Sequence, residues 1–210
     1  MLEFISIQKF YGRRQVLDIP SLQLEKGIFW LQGANGSGKT TLLRMTGGLL
    51  PFKGDIRLDG VSLRKDPVSY RRAVSWSDAE PLYPAFLSGE DLLSFYLDIR
   101  GVSRDKAEYL VNLFQVRSYL ASPIGTYSSG MVKKLSLLLA FVGDPSLIIL
   151  DEPLVTLDHE AIPVVYRLVQ ETWRQKRTCF LISSHQELQA SDLLITQKLT
   201  VAGQTLVSSI

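Results

Sequence analysis

The segment Gly33–Thr40 constrains this chain more than any other, because it fits the pattern G-x-x-x-x-G-K-[ST] at every fixed position. It follows a compact apolar run, Ile28–Leu31, and precedes a helix-like run that begins at Thr41. In that context the glycines let successive backbone N–H groups turn inward around a phosphate, and the helix start behind them adds positive potential. The alternative is a Gly-rich turn that merely links a strand to a helix. The pattern predicts a loop that binds a nucleoside triphosphate.

Within this loop the predicted contacts divide by side chain. The ammonium of Lys39 can reach the β- and γ-phosphates, the Thr40 hydroxyl is placed to ligate Mg²⁺, and Thr41 can hold the α-phosphate. Backbone groups supply the other predicted nucleotide contacts, which come from Gly33, Ala34, Asn35, Gly36, Ser37 and Gly38.

Two carboxylates follow a run of four apolar residues, Leu147–Leu150. A buried parallel strand that ends in acids places them at the carboxyl edge of the sheet, where α/β folds bind ligands. There Asp151 can hold Mg²⁺ through water, and Glu152 can polarise the water that attacks the γ-phosphate. A loop or helix cap is the alternative for an Asp-Glu pair, but a nearby phosphate-binding loop favours the catalytic interpretation.

Strand patterns alternate with helical patterns around the loop, which predicts a mainly parallel α/β core. A helical insert begins at Ser88, whose spacing from Asp91 resembles a capping box, and it includes a helix predicted from Met131 to Val142. The early strands suggest a small antiparallel sheet attached to the core. Turns are predicted at Gly12 and Gly27, and strands over residues 2–7, 22–31, 54–60, 73–76, 147–150, 180–183 and 193–196.

The composition limits which partners the chain can bind and which cellular compartment it can occupy. A formal charge of +2 with scattered Lys and Arg does not favour a nucleic-acid partner. The single cysteine, Cys179, excludes an intrachain disulfide and is expected to be a buried reduced thiol. No apolar stretch approaches the roughly 18 residues of a membrane span, and the N-terminus carries no signal-peptide pattern. We therefore expect a soluble, cytoplasmic chain.

Four further landmarks resemble the motifs of the ABC-type ATPases and fall in the order found there. Tyr127–Met131, which precedes a helix pattern, resembles the signature motif of that family. Phe10–Gly12 resembles the loop whose aromatic ring stacks on adenine, Thr156–Asp158 resembles the end of the D-loop, and Ser183–His185 resembles the switch-histidine loop. With the phosphate-binding loop and the acids, the resemblance covers nearly the whole chain.

The resemblance implies an α/β fold with three parts: a P-loop NTPase core with a mainly parallel sheet, a small antiparallel β subdomain and an α-helical subdomain. We expect residues 1–84 and 144–210 to form the nucleotide-binding core with its β subdomain. Residues 85–143 are then the helical subdomain that carries the signature motif.

The signature segment is expected to be a second anion site, because Ser128 can cap the following helix and leave the N–H groups of Ser129 and Gly130 for a phosphate. Since the chain has a phosphate-binding loop of its own, a second site implies the ATP of a partner subunit. An ordinary turn and helix cap is the alternative. The resemblance likewise implies two ATP molecules sandwiched between head-to-tail subunits, with Asp158 among the nucleotide-binding residues.

The resemblance also assigns roles to two rings. Tyr11 would stack on adenine, and His185 would contact the γ-phosphate and steady the attacking water. The alternatives are a core aromatic at residue 11 and a surface histidine at residue 185.

Two departures from the family pattern concern the metal site and the signature. Aligning Leu82–Pro84 with the family's apolar-Tyr-Pro segment puts Asp78 where a Gln usually meets Mg²⁺, so we expect Asp78 to be a Mg²⁺ ligand. Ser129 stands where Gly is usual and Met131 where Gln is common, which predicts slower or altered closure of the dimer.

The loop Glu80–Leu87 is rich in apolar and aromatic residues but holds two prolines, so it cannot form a regular helix or a central strand. We expect it to hold Tyr83 and Phe86 near the surface, where they contact a membrane permease. The alternative is that both rings anchor the helical insert to the core.

These patterns indicate the ATP-hydrolysing subunit of an ABC transporter, a homodimer or heterodimer held at the inner face of the cell membrane by a separate permease. One rival is a soluble ABC ATPase that acts on ribosomes, DNA or chromosomes, although such proteins usually carry paired ATPase domains, zinc cysteines or long coiled coils. Another is a regulatory module that hardly hydrolyses ATP, against which Glu152 and His185 argue. The absence of an Asn-Lys-x-Asp segment disfavours a GTPase.

Overall fold

The computed structural model describes residues 1–184 and 193–209, in which two sheets form the framework. The smaller sheet is antiparallel and consists of β1 (Leu2–Tyr11), β2 (Arg14–Leu24), β4 (Lys53–Leu58) and β5 (Val61–Ser62), in the order β2-β1-β4-β5. The larger sheet consists of β3 (Ile28–Gln32), β6 (Val74–Ser77), β7 (Leu147–Leu150), β8 (Cys179–Ser183), β9 (Gln197–Ala202) and β10 (Thr205–Ser209), in the order β10-β9-β3-β8-β7-β6.

In the larger sheet β9, β3, β8, β7 and β6 run parallel, and β10 is antiparallel to β9. Successive side chains of a strand point to opposite faces. Ile28 and Trp30 of β3 therefore lie in one hydrophobic cluster, and Phe29 and Leu31 lie in the other. Because both faces are covered, the central strands have the continuous apolar sequences that made them recognisable.

Within the described residues, six α-helices cover these faces. They are α1 (Lys39–Thr46), α2 (Pro67–Arg72), α3 (Gly89–Arg100), α4 (Arg104–Leu113), α5 (Ser129–Ala140) and α6 (Ala161–Lys176), and a short 3-10 helix spans Ile124–Thr126. Residues of α1 and α2 share one cluster with the antiparallel sheet, and residues of α3, α4, α5 and α6 pack on the opposite face of the parallel sheet. This α/β architecture confirms the predicted fold class.

The helical segment begins with the capping box predicted from Ser88 and Asp91. The Ser88 hydroxyl accepts the Asp91 N–H at 3.0 Å, and the Ser88 N–H donates to the Asp91 carboxylate at 2.9 Å. Such a pair satisfies N–H groups that the first turn of a helix leaves without partners. One face of α4, together with the residue that follows the helix, is apolar and buried, at Ala107, Leu110, Val111 and Phe114.

The strand prediction over residues 22–31 is wrong in its extent. The structure divides this stretch at the turn predicted at Gly27: β2 ends at Leu24, and β3 begins at Ile28. β2 also starts at Arg14, well before the predicted segment, and pairs with β1 along its length.

The strand prediction over residues 193–196 is wrong as well. Leu193 is buried without being in a strand, and Thr196 bonds to Ile28 through both its N–H (2.8 Å) and its Oγ1 (3.0 Å). The strand begins at Gln197, where alternation buries Leu199 and Val201 against the core. The short apolar run, residues 193–196, therefore precedes the strand and is held beside β3, but it is not part of the strand.

Two further expectations concern the thiol and membrane spans. Cys179 is buried, as predicted, and burial raises the pKa of its thiol to about 11, which keeps the thiol protonated at neutral pH. Among the helices of residues 1–184 and 193–209, none has the length and apolar character that crossing a bilayer requires.

Candidate nucleotide-binding site

The predicted phosphate-binding loop lies between β3 and α1. Gly33 has φ +151°, and a Cβ there would lie 2.6 Å from the Ser37 hydroxyl and 2.7 Å from the Val201 carbonyl oxygen. Gly38 has φ +109° at the position from which α1 starts. Both positions need glycine, since the backbone approaches other atoms closely at the first and is left-handed at the second. The loop thereby presents the first N–H groups of α1, which have no partners within the helix.

Lys39 is the only lysine of the loop, and its side chain is buried. The ammonium donates to the carbonyl oxygens of Gly33 at 2.7 Å and Ala34 at 3.1 Å, so it lies across the loop. Burial lowers the pKa of this ammonium, and the carboxylates of Glu152 and Asp151 partly oppose that effect. The loop cation and the two acids predicted from sequence are therefore close enough to interact electrostatically.

A cleft of about 740 Å³ lies beside the loop and is lined by residues from Asn35 to Thr41, with Glu152 and Tyr11. The Tyr11 ring is 51% exposed, and the Lys9 ammonium lies 4.8 Å from its centroid. An exposed ring at the cleft suits stacking and does not fit the alternative of a core aromatic.

Part of the cleft lining has no motif and was not identified from sequence. It comes from the start of β2 (Arg14, Gln15 and Val16) and from the turn between β9 and β10 (Gly203 and Gln204). The Asp18 N–H donates to the Gln204 carbonyl at 2.6 Å and so ties this turn to β2. The turn predicted at Gly12 could have indicated this part of the lining. A hairpin at Gly12 places the start of the next strand beside Tyr11.

The two acids follow β7 directly. Asp151 is 1% exposed; its Oδ1 accepts the Ser183 hydroxyl at 2.6 Å, and its Oδ2 is buried with no hydrogen-bond partner among the described residues. Glu152 has φ +46°, and its N–H donates to the same Ser183 hydroxyl at 3.0 Å. Ser183 therefore fixes the two acids relative to each other, a role that the sequence did not indicate.

Lys133 is a second buried lysine near the acids. Its side chain lies in α5 with no exposed surface, and the ammonium donates to the carbonyl oxygens of Asp78 (2.7 Å), Ala79 (3.4 Å) and Asp151 (3.1 Å). Burial lowers its pKa to about 8, although the carboxylates of Asp151, Asp78 and Glu152 oppose the shift. The sequence offered only a Lys-Lys pair, which is typical of a solvated surface.

The signature segment begins α5. Ser128 is the N-cap residue, as predicted, and its hydroxyl accepts the Met131 N–H at 3.3 Å. Ser128 and Ser129 are exposed, whereas a Cβ on Gly130 would lie 2.9 Å from the Thr156 carbonyl oxygen. Among the described residues that line the cleft, none belongs to this segment. The chain therefore does not bring its two predicted phosphate sites together.

Asp158 joins the D-loop to both neighbouring helices. Its Oδ1 accepts the Ala161 N–H at the start of α6 (2.8 Å), and its Oδ2 pairs with the Lys134 ammonium of α5 (2.6 Å). The hydrogen bond from Lys134 is the main cause that holds the pKa of this carboxyl below its usual value. The carboxylate thus remains charged at neutral pH.

Comparison of the sequence with models of known protein families identifies the family of the chain. The family model described as ABC transporter matches residues 17–155, which include the phosphate-binding loop, the signature segment and both acids. The chain belongs to the ABC transporter family. The family prediction is confirmed.

Individual relatives and solved structures support the same family. The chain is 32% identical over 208 residues to the uncharacterized ABC transporter ATP-binding protein YhcH of Bacillus subtilis (strain 168), which covers 94% of this chain and 67% of that protein. A solved ATP-binding subunit of an ABC transporter superposes with a TM-score of 0.90 at 25% identity, covering 100% of this chain and 89% of the other. An ATP-binding cassette solved as a dimer with ADP and Pi gives a TM-score of 0.85 at 15% identity, covering 100% and 98%, and shares the fold.

As a member of the ABC transporter family, the chain is an ATP-binding subunit of a transporter and hydrolyses ATP. The predictions of ATP as ligand and of ATPase activity are thereby confirmed.

In the structure Asp78 lies away from the nucleotide cleft. Its carboxylate pairs with Arg44 at 3.3 Å and accepts the Trp76 indole N–H at 3.3 Å, and it lines a groove outside the nucleotide cleft. Ala79 lines the cleft instead. Asp78 contacts Trp76, which lines the same groove outside the cleft. The carboxylate of Asp78 thus lies outside the cleft, and its role as a Mg²⁺ ligand stays a prediction. The other predicted ring, His185, lies outside the described residues.

Proposed function

We propose that the chain works as one half of a dimer that closes on two ATP molecules and drives a separate membrane permease. The observation that carries the proposal is the start of α5 at Ser128–Gly130, where both serines are exposed and which lies outside the cleft of the chain's own phosphate-binding loop. N–H groups at a helix start bind anions. A phosphate site that the chain's own nucleotide does not occupy is complete only when a partner subunit, identical or different, supplies the ATP.

Mg²⁺ is proposed as the metal of this site, held by Thr40 and Asp151. The Oδ2 of Asp151 is buried without a hydrogen-bond partner among the described residues, which is costly for a carboxylate unless a cation or donor joins it. Thr40 adds a hydroxyl to the cleft that Glu152, the residue after Asp151, also lines, and hard oxygen donors suit this ion. When bound, the ion would neutralise charge that develops on the phosphate oxygens.

Each residue of the site then has its own role in binding or hydrolysing ATP. Lys39 and the loop N–H groups hold the β- and γ-phosphates, Thr41 contacts the α-phosphate, and Tyr11 stacks on adenine. Glu152 accepts the proton of the attacking water, with His185 steadying that water. Across the dimer, Ser128, Ser129 and Gly130 bind the partner's γ-phosphate, with Asp158 beside them.

The permease is proposed to dock in the groove that Asp78 lines. This groove has a volume of about 430 Å³ and runs between Trp76 and the Glu80–Leu87 loop. Leu82 is 93% exposed and Phe86 81% exposed, so the loop presents apolar surface beside the groove. Tyr83, in contrast, packs against the core. Docking there would hold the subunit at the cytoplasmic face of the membrane.

The experiment is a comparison of Glu152→Gln with the wild-type subunit and with Glu25→Gln, a control of the same chemistry at an exposed turn. Glu152→Gln keeps the size of the side chain but removes its basicity. We expect its ATP turnover to fall at least about tenfold while ATP binding is retained. Light scattering should detect a dimer that persists in ATP with Mg²⁺. Turnover equal to that of Glu25→Gln would overturn the role of Glu152.

A further inference from the structure

We propose that Lys133 is a positioning residue that keeps the signature end of α5 in register with the two segments that reach the nucleotide. The inference rests on the proposed function, because it concerns how that function's second anion site is aligned with its catalytic acid. It adds a residue to the site that touches neither ATP nor the attacking water.

One ammonium joins three parts of the chain. An ammonium has three N–H donors, and Lys133 directs them to carbonyl oxygens of the loop after β6 and of the residue after β7. The bonds to Asp78, Ala79 and Asp151 span 55, 54 and 18 residues of sequence. All three acceptors are backbone atoms, so this side chain constrains main-chain positions directly.

Each tethered segment reaches the nucleotide cleft within one residue of the bonded carbonyl. Ala79 lines the cleft, and Asp151 is followed by Glu152, whose side chain also lines it. On the helix side, Lys133 is three residues after Gly130, which is less than one helical turn. A displacement of α5 therefore moves the backbone beside the carboxylates through the hydrogen bonds of Lys133. A displacement of that backbone moves α5 in the same way.

Arg100 makes a similar link between a helix and the sheet and serves as a comparison for Lys133. Its guanidinium, on α3, donates to the Val74 carbonyl at 2.7 Å and the Ser75 hydroxyl at 2.9 Å, at the start of β6. Arg100 thus also ties the helical segment to the parallel sheet through a cation and a carbonyl. Its contacts lie at the opposite end of β6 from Asp78 and Ala79. Loss of Arg100 should therefore weaken the same junction without disturbing the cleft.

The test compares Lys133→Met, Lys133→Arg and Arg100→Met in the full chain, with a fluorescent ATP analogue as the binding probe. Lys133→Met keeps much of the side-chain volume but removes all three donors, and Lys133→Arg keeps donors and charge. We expect Lys133→Met to lower kcat about tenfold or more with the Kd for the analogue within about twofold, because misplacement acts on the reacting geometry. Lys133→Arg should recover most of kcat, and Arg100→Met should lower Tm with little change in kcat.

The second readout is the ATP-driven dimer in the Glu152→Gln background. Adding Lys133→Met should reduce the dimer fraction at each ATP concentration, whereas adding Arg100→Met should not. If Lys133→Met does not fold, Lys133→Gln takes its place, because its neutral amide has only two N–H donors for the three carbonyl acceptors, and kcat should then fall by a smaller factor. Unchanged kcat and dimer fraction, or a loss of kcat only in proportion to the loss of folded protein, would overturn the role of Lys133. Failure of Glu152→Gln alone to form a dimer would instead count against the proposed function.

Discussion

Ser183 is the residue on which the geometry of the acids depends. Glu152 has a left-handed backbone conformation, which typically costs a non-glycine residue about 1 kcal/mol or more. The Ser183 hydroxyl accepts the N–H of this strained residue and donates to Asp151, so one group holds both acids. The hydroxyl thereby offsets part of the strain and aims both carboxylates.

We predict that Ser183→Ala lowers ATP turnover about tenfold, because both acids lose their common support. Turnover should recover only partly at high Mg²⁺, since the orientation of Glu152 is affected as well as that of Asp151. The measurement is steady-state hydrolysis over a Mg²⁺ series. The control is Thr178→Val, which removes a buried hydroxyl bound to the Pro145 carbonyl just before the same strand. An equal loss of turnover in the control would show that both changes act through stability.

The sequence identified some of these residues because their chemistry is contained in a local pattern. Lys39 is recognised from its loop, and Asp151 and Glu152 from the apolar strand before them. Ser183 and Lys133 act through contacts 18 to 55 residues apart in sequence, which exist only because β8 lies beside β7 and α5 crosses the end of β6. No local spacing encodes a contact that depends on the order of the strands.

At the scale of elements, the D-loop packs over the start of α5. The Thr156 carbonyl oxygen occupies the space that a Cβ on Gly130 would need, and Lys134 pairs with Asp158 one helical turn further along. The proposed phosphate site at the start of α5 is therefore shaped by the segment that precedes α6.

Gly130→Ala tests this packing. Alanine is the better helix former by about 1 kcal/mol, so the helix itself should gain stability. The added Cβ would lie 2.9 Å from a backbone oxygen that cannot rotate away, so the D-loop must shift. We expect unchanged ATP binding and little change in Tm, but loss of the ATP-driven dimer in the Glu152→Gln background, measured by light scattering. Dimerisation like that of Glu152→Gln alone would contradict this arrangement of the D-loop.

The loop Glu80–Leu87 separates its two aromatic side chains into different roles. Phe86 is 81% exposed. Tyr83 packs against the core, bonds to Ser136, and has its pKa raised by burial. The sequence allowed either role for both rings, because two prolines reveal a loop but not the direction in which each ring points.

Phe86→Ala should therefore weaken association with the permease while leaving Tm and ATP affinity nearly unchanged. Tyr83→Ala should instead lower Tm by several degrees, because it removes a packed ring and a buried hydrogen bond. Co-purification with the permease and a thermal melt measure the two effects. Undiminished co-purification of Phe86→Ala would place the permease contact elsewhere.

At the scale of the whole molecule, the parallel sheet determines what sequence could and could not predict. Strands buried on both faces, such as β7 and β8, are continuous apolar runs and were found. β9 alternates Leu199 and Val201 with polar residues and was missed in favour of the apolar run before it. The antiparallel β2 was found only in its last part, because its length is set by pairing with β1. The predicted site is incomplete for the same reason, because the start of β2 and the turn that follows β9 line part of the cleft.

The composite site can be tested by mixing two inactive variants. Lys39→Ala removes the loop cation, and Ser129→Asp places a negative charge where the partner's γ-phosphate is proposed to lie. Ser129→Asp should not harm folding, since an acid in the first turn of a helix is favourable. In a head-to-tail dimer, a mixed pair joins an intact loop from one chain to an intact signature segment from the other. Random pairing of equal amounts makes half of the dimers mixed, so about a quarter of the wild-type sites are restored. We expect ATP turnover in the mixture to rise toward that fraction while each variant alone stays near background; a mixture no more active than the two separate variants would show that each chain completes its site alone.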